Sequence, residues 1–134
     1  MKRRKIRSLS VSEIGMGCMG FSHGYGQVPG AGYAEEAIRE AFGYGCNFFD
    51  TAEGYGKELY YPGHNEEIVG RAVRGFRNEV VIATKLHIQP EAVEDCGSVY
   101  AAVRRHLERS LKNLQTDYVD LYYLHRINME VDNL

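Results

Sequence analysis

Four residues of this chain have the side-chain chemistry of a proton-transfer site, and their places in the sequence correspond. Asp50 ends the apolar run NFFD, Lys85 follows EVVIAT, and His125 follows DYVDLYYL. Tyr55 lies five residues past Asp50, flanked by Gly54 and Gly56. Nearly continuous apolar runs of this length suit strands buried on both faces of a parallel sheet. In parallel α/β folds the C-terminal strand ends share one rim, where ligands bind. The spacing thus predicts a carboxylate, an ammonium, an imidazole and a phenol at one place. Each alone is better explained by a surface ion pair or a satisfied core histidine. Their succession on consecutive strand ends favours a shared site.

The elements that must position them follow from periodicity. Ser8 to Gly17 alternates loosely and reads as a short strand or hairpin, then a strand ending at a loop. Residues 23–32, with four glycines and a proline, read as loop. Residues 33–44 have Ala37, Ile38, Ala41 and Phe42 at helical spacing, with Glu35 and Glu36 in the first turn and Gly45 as a stop. A strand over 47–51 and a loop over 52–63 follow. Asn65 is the N-cap expected for a helix over 66–76. A strand over 79–84 leads to a loop over 86–97. Ser98 then caps a helix reaching Leu114, and a strand over 117–124 follows. Residues 126–134 have no clear period. The order β-α-β-α-β-α-β implies a parallel sheet with helices outside.

Composition narrows the function classes. The chain has 134 residues, 44% hydrophobic and 25% charged, which fits one globular domain and argues against disorder. The net charge of −2 gives no global field drawing it to nucleic acid. The basic run Lys2 to Arg7 lacks interleaved aromatics or glycines and reads as a solvated terminal strand or tail. No apolar run approaches the roughly 18 residues of a membrane span. The segment after MKRRKIR lacks the apolar core of a secretion signal. Cys18, Cys46 and Cys96 are an odd number and far apart, so a reduced, cytoplasmic chain is expected.

The segments IGMGCMGF, NFFDTAEGYG, NEEIVGRAVRG, EVVIATK and DYVDLYYLHR, in this order and spacing, resemble the N-terminal half of the aldo-keto reductase superfamily. The resemblance runs from about Ser8 to Asn128. It implies a (β/α)8 TIM barrel and NADPH-dependent reduction of aldehydes or ketones. It carries the catalytic tetrad onto Asp50, Tyr55, Lys85 and His125, and places Gly17, Cys18 and Met19 near the nicotinamide with Asp50. Cys18 stands where the family often has threonine.

The physical logic of the tetrad holds independently. Reducing a carbonyl takes a hydride at carbon and a proton at oxygen; a cofactor supplies the first and the protein the second. A phenol titrating near about 10 is a weak acid at neutral pH. An ammonium about 4 Å away, at an effective dielectric near 20, favours the phenolate by at most about 4 kcal/mol, and burial opposes it. Asp50 is placed to keep Lys85 charged and oriented, which also softens its effect. His125 is placed to hydrogen-bond the carbonyl.

Other signals are weaker. Gly15, Gly17 and Gly20 spell GxGxxG, the dinucleotide fingerprint. That fingerprint needs a helix opening at the glycines, and FSHGYGQVPGAG follows instead. His23, His64, His87 and His106 have no metal-ligand spacing and read as surface or loop residues; no metal site is expected. Tyr60, Tyr61 and His64, with Phe21 and Tyr25, are placed to wall a substrate cavity.

A complete barrel of this type has about 250 residues and eight strands. This sequence supplies about the first four βα units. Residues 1–134 are therefore expected to form one incomplete domain, a fragment of a longer protein that is inactive alone; self-association through its open sheet edges is the lesser expectation. The partner implied is a small carbonyl substrate, with neither nucleic acid nor membrane. The alternative is a catalytically inactive relative serving as a binding or regulatory module, or a fragment.

Overall fold

The computed structural model describes residues 1–24 and 26–131. Tyr25, expected at a cavity wall, lies outside them, as do residues 132–134.

The basic run forms β1 (Arg3–Ile6), exposed along its length, which pairs antiparallel with β2 (Leu9–Ser12). Arg7, at φ 52°, makes the turn. The chain then enters β3 (Met16–Gly17), α1 (Ala31–Gly43), β4 (Phe48–Asp50), α2 (His64–Val73), β5 (Val81–Leu86), α3 (Pro90–Cys96), α4 (Val99–Leu114) and β6 (Leu121–Leu124). The four strands β3-β4-β5-β6 form one parallel sheet in sequence order. Helical crossovers deliver that order, as the alternation predicts.

Register separates two faces. Gly17 pairs with Asp50, Asp50 with Ala83, and Lys85 with Tyr123. Directly paired residues share a face, as do residues two apart on a strand. Gly17, Asp50, Ala83, Lys85 and Tyr123 therefore line one face. Phe49 and Ile82 point the other way and are fully buried with Ile38 of α1, Ile68 and Val69 of α2, and Leu114 of α4. A second cluster gathers Leu86, Ile88, Ala102 and Val131 under α3 and α4. Gly70 of α2 has no room for a side chain, because a Cβ there would meet the Leu114 backbone.

Several boundaries differ from the sequence reading: β5 runs Val81–Leu86 and so contains Lys85, β6 is confined to Leu121–Leu124, and α2 ends at Val73. Residues 90–96, expected in a loop, form α3, with Pro90 in its first turn and Gly97 at φ 78° closing it. Ala92, Val93 and Cys96 pack on the second cluster. α1 begins two residues early, so Glu35 lies past the first turn and pairs instead with Arg39 and Arg71. α2 starts at His64 rather than Glu66, entered through Gly63 at φ 92°. Ser98 does cap α4, accepting the Ala101 N–H at 3.1 Å.

Candidate active site

β5 carries Lys85 to the rim in its fifth position, half-buried among buried neighbours. The ammonium has three N–H donors. It donates to Asp50 Oδ1 at 2.5 Å, to the Thr51 carbonyl at 2.7 Å and to Tyr55 Oη at 3.3 Å. Asp50 ends β4 alongside; Thr51, just beyond, continues the ladder through its N–H to Ala83 O. Tyr55 returns from the loop after β4, its N–H bonded to Ala52 O at 3.2 Å. The tyrosine oxygen thus accepts from Lys85, which leaves its own O–H free to donate elsewhere.

His125 follows β6, and its N–H bonds Leu86 O at 2.8 Å. Its ring stands edge-on to Tyr55, centroids 5.5 Å apart and planes at 85°. The His87 ring is 6.3 Å away. Burial, then the positive Lys85, His87 and Arg126, hold His125 below the usual imidazole value. All four predicted catalytic residues therefore meet at one rim.

The predicted cofactor contacts divide. Met19 joins Tyr55, His87 and His125 around a cavity of about 430 Å³. Gly17 and Asp50 line a neighbouring cavity of about 570 Å³ with Met16 and Phe48. Cys18 is fully buried, its N–H bonded to Asp50 O and its carbonyl to the Asn65 amide. Burial, then Asp50, pushes its thiol up to about 12. Its side chain offers a ligand no surface. A depression of about 620 Å³, among Arg74, Arg77 and Thr116, holds none of the four residues.

Several residues play parts other than those expected. Asn65 does not cap α2. Its amide is fully buried, accepting from Thr51 Oγ1 at 2.6 Å and donating to Cys18 O and Ser22 Oγ. His64 is not a free surface residue: its Nδ1 lies 2.8 Å from Ser22 Oγ, and its ring stacks on Tyr60 at 4.0 Å. His106 is buried and bonded to Glu53. Glu53 was not singled out by the sequence, although it stands between Asp50 and Tyr55. After Gly15-x-Gly17 comes only the 3-10 turn Met19–Phe21, so the glycine fingerprint opens no helix. No helix among the described residues is long and apolar enough to cross a membrane.

Comparison with known proteins identifies the family and the fold. The aldo/keto reductase family model matches residues 13–134. The aldo-keto reductase yakc [NADP(+)] of Schizosaccharomyces pombe is 38% identical over 95% of this chain and 37% of its own length. A holo-form aldo-keto reductase of Bacillus halodurans superposes with a TM-score of 0.76 at 31% identity, covering 98% of this chain and 42% of that one. An aldo/keto reductase of Klebsiella pneumoniae, solved with NADP and acetate, is 35% identical with a TM-score of 0.69, over 90% of this chain and 38% of that one. The chain spans about two fifths of the length of the curated relatives it matches. Its four-stranded parallel sheet is the corresponding part of their TIM barrel. With the family model covering nearly the whole sequence, this chain belongs to the aldo/keto reductase family.

Proposed function

We propose that this chain carries the proton-donating half of an NADPH-dependent carbonyl reductase, with Tyr55 as the acid. The observation that carries the reading is the Lys85 ammonium, bonded at once to Asp50 and Tyr55 and leaving the tyrosine O–H free to donate. NADP in the Klebsiella pneumoniae structure and in the name of the Schizosaccharomyces pombe relative supports the choice of cofactor.

The residues present fit a nicotinamide. Gly17 has open space where a side chain would stand, on the same sheet face as Asp50, so a flat ring meets no obstruction there. Gly17 and Asp50 would hold it, while Met19 faces the cavity of Tyr55 and His125. When bound, the reduced dinucleotide supplies the hydride. Tyr55 gives its proton to the substrate oxygen as negative charge develops there. Lys85 stabilises the phenolate left behind, and Asp50 holds Lys85 on target. The His125 ring, kept neutral near pH 7, fixes the direction of the carbonyl. General acid catalysis of this kind contributes about 10² to 10⁴ in rate. The substrate is a small aldehyde or ketone.

Residues 1–134 act here as one unit, and the free cysteines suit a reducing compartment such as the cytoplasm. One observation favours a second, non-catalytic reading. Tyr123, on the same face as Lys85, and Leu124 are 44% and 37% exposed on the last strand of the sheet, a surface suited to a second copy or another protein. An NADPH titration of the folded chain, followed by nicotinamide emission, separates the two. Saturable binding is expected from a reductase. A folded chain that leaves the emission unchanged supports the binding module.

A further inference from the structure

Glu53 is hydrogen-bonded through both carboxylate oxygens beside the site, and the mechanism above makes no use of it. Its carboxylate accepts the His87 N–H on Oε1 at 2.8 Å, and its Oε2 lies 2.8 Å from His106 Nδ1. Both side chains are nearly buried, 12% and 11% exposed. Its N–H bonds the Lys85 carbonyl at 3.2 Å, and its carbonyl accepts the Gly63 N–H at 2.8 Å. Every polar group of Glu53 is therefore used. Its partners lie on the exit from β5, on α4 and at the entrance to α2.

Those anchors bracket the catalytic loop. Glu53 stands two residues before Tyr55. The backbone it grips runs from Lys85 to His87. The His87 ring neighbours His125, and His125 neighbours Tyr55. At Tyr55 itself the backbone bonds are long, Tyr55 N–H to Ala52 O at 3.2 Å and Asn65 N–H to Tyr55 O at 3.4 Å, while further along the loop Tyr60 N–H bonds Gly56 O at 2.8 Å. A buried, doubly bonded carboxylate is a stronger tie than either bond at Tyr55.

We propose that Glu53 and His106 form a positioning pair, which fixes the Tyr55 loop against the Lys85–His87 segment and so sets the distance between the tyrosine hydroxyl and the His125 ring. The pair touches no reacting atom. It acts by holding reacting groups in register, where a misplacement of about 1 Å can cost about 10² in rate. The inference rests on the proposed carbonyl reduction for its kinetic consequence only; the geometric consequence needs neither cofactor nor substrate.

The test uses the whole chain, with tyrosine and histidine rings labelled for NMR, in wild type and in Glu53→Ala, Glu53→Gln and His106→Ala. Tyr55→Phe and His125→Gln assign the resonances. Wild type shows a ring-to-ring contact between Tyr55 and His125. Glu53→Ala weakens it. Glu53→Gln restores it, because the amide oxygen still accepts the His87 N–H. With benzaldehyde and NADPH, Glu53→Ala lowers kcat by about tenfold or more and leaves KM within about twofold. The Gln variant recovers most of the loss, which a general loss of stability would not produce. If Glu53→Ala does not fold, His106→Ala, which keeps the His87 bond, gives the same readouts with a smaller loss. A ring contact that survives in all variants, or that Gln loses as fully as Ala, overturns the pair. A wild-type chain that reduces no aldehyde overturns the catalytic reading instead, and the ring contact then decides the pair by itself.

Discussion

Lys85 has three acceptors, and each does separate work. Asp50 orients the ammonium, the Thr51 carbonyl fixes its depth, and Tyr55 receives its field. Because the tyrosine oxygen is the acceptor, its O–H remains free to donate, as the proposed acid role requires. His125 completes the set as a neutral ring. Its proton affinity is depressed by burial first and by Lys85, His87 and Arg126 next. A base whose folded pKa lies below its unfolded value of about 6.5 contributes stability that is present above that value. That stability is lost as pH falls through the folded pKa. The His125 ring proton, followed by NMR across pH, is therefore expected to titrate below 6.5. Titration above that value contradicts the account. Asp50, Lys85 and His125 were legible in the sequence because each stands at, or just past, the end of an apolar run, and Tyr55 because it lies five residues past Asp50 between two glycines. Glu53 and His106 were not, because they lie 53 residues apart and no local pattern links them.

At the scale of elements, the legible parts are those governed by local chemistry. Ser98 announced the start of α4 because its hydroxyl has a backbone donor three residues on. Asn65 misled because its amide serves Thr51, Cys18 and Ser22 from distant segments, while the Gly63 backbone makes the actual entry to α2. α3 spans seven residues, shorter than the window in which helical period can be read, and its apolar side is defined by Leu86 and Ile88. The contact between α2 and α4 explains Gly70. The helices meet there so closely that the Leu114 backbone occupies the place of a Cβ. Gly70→Ala is expected to destabilise the chain by about 1–3 kcal/mol through overpacking, despite alanine's better helix propensity. Urea unfolding checks this. An unchanged or raised midpoint contradicts the close approach.

At the scale of the whole molecule, the parallel order was readable and its closure was not. Strand–helix alternation implies a parallel sheet, and β3 to β6 form one. Arg4, Ile6 and Val11 of the β1–β2 hairpin share a cavity with Gly17 and Asp50, a juxtaposition that no local period encodes. A bound cofactor would also change stability. A ligand that binds only the folded chain stabilises it by about 2.7 kcal/mol at a hundred times its Kd. For a chain of this size, that raises Tm by about 10 °C. The NADPH titration therefore has a thermal readout as well as an optical one. A Tm that does not move with NADPH agrees with the non-catalytic reading.

The measurement that bears most directly on the catalytic claim is NADPH oxidation with an aldehyde by wild type and Tyr55→Phe, each shown to be folded. The phenyl ring keeps the edge contact with His125 and removes only the proton and the acceptor of Lys85. The account predicts a loss of about 10² or more in kcat, with NADPH affinity little changed. Turnover by Tyr55→Phe close to wild type would contradict it and take the acid role away from Tyr55.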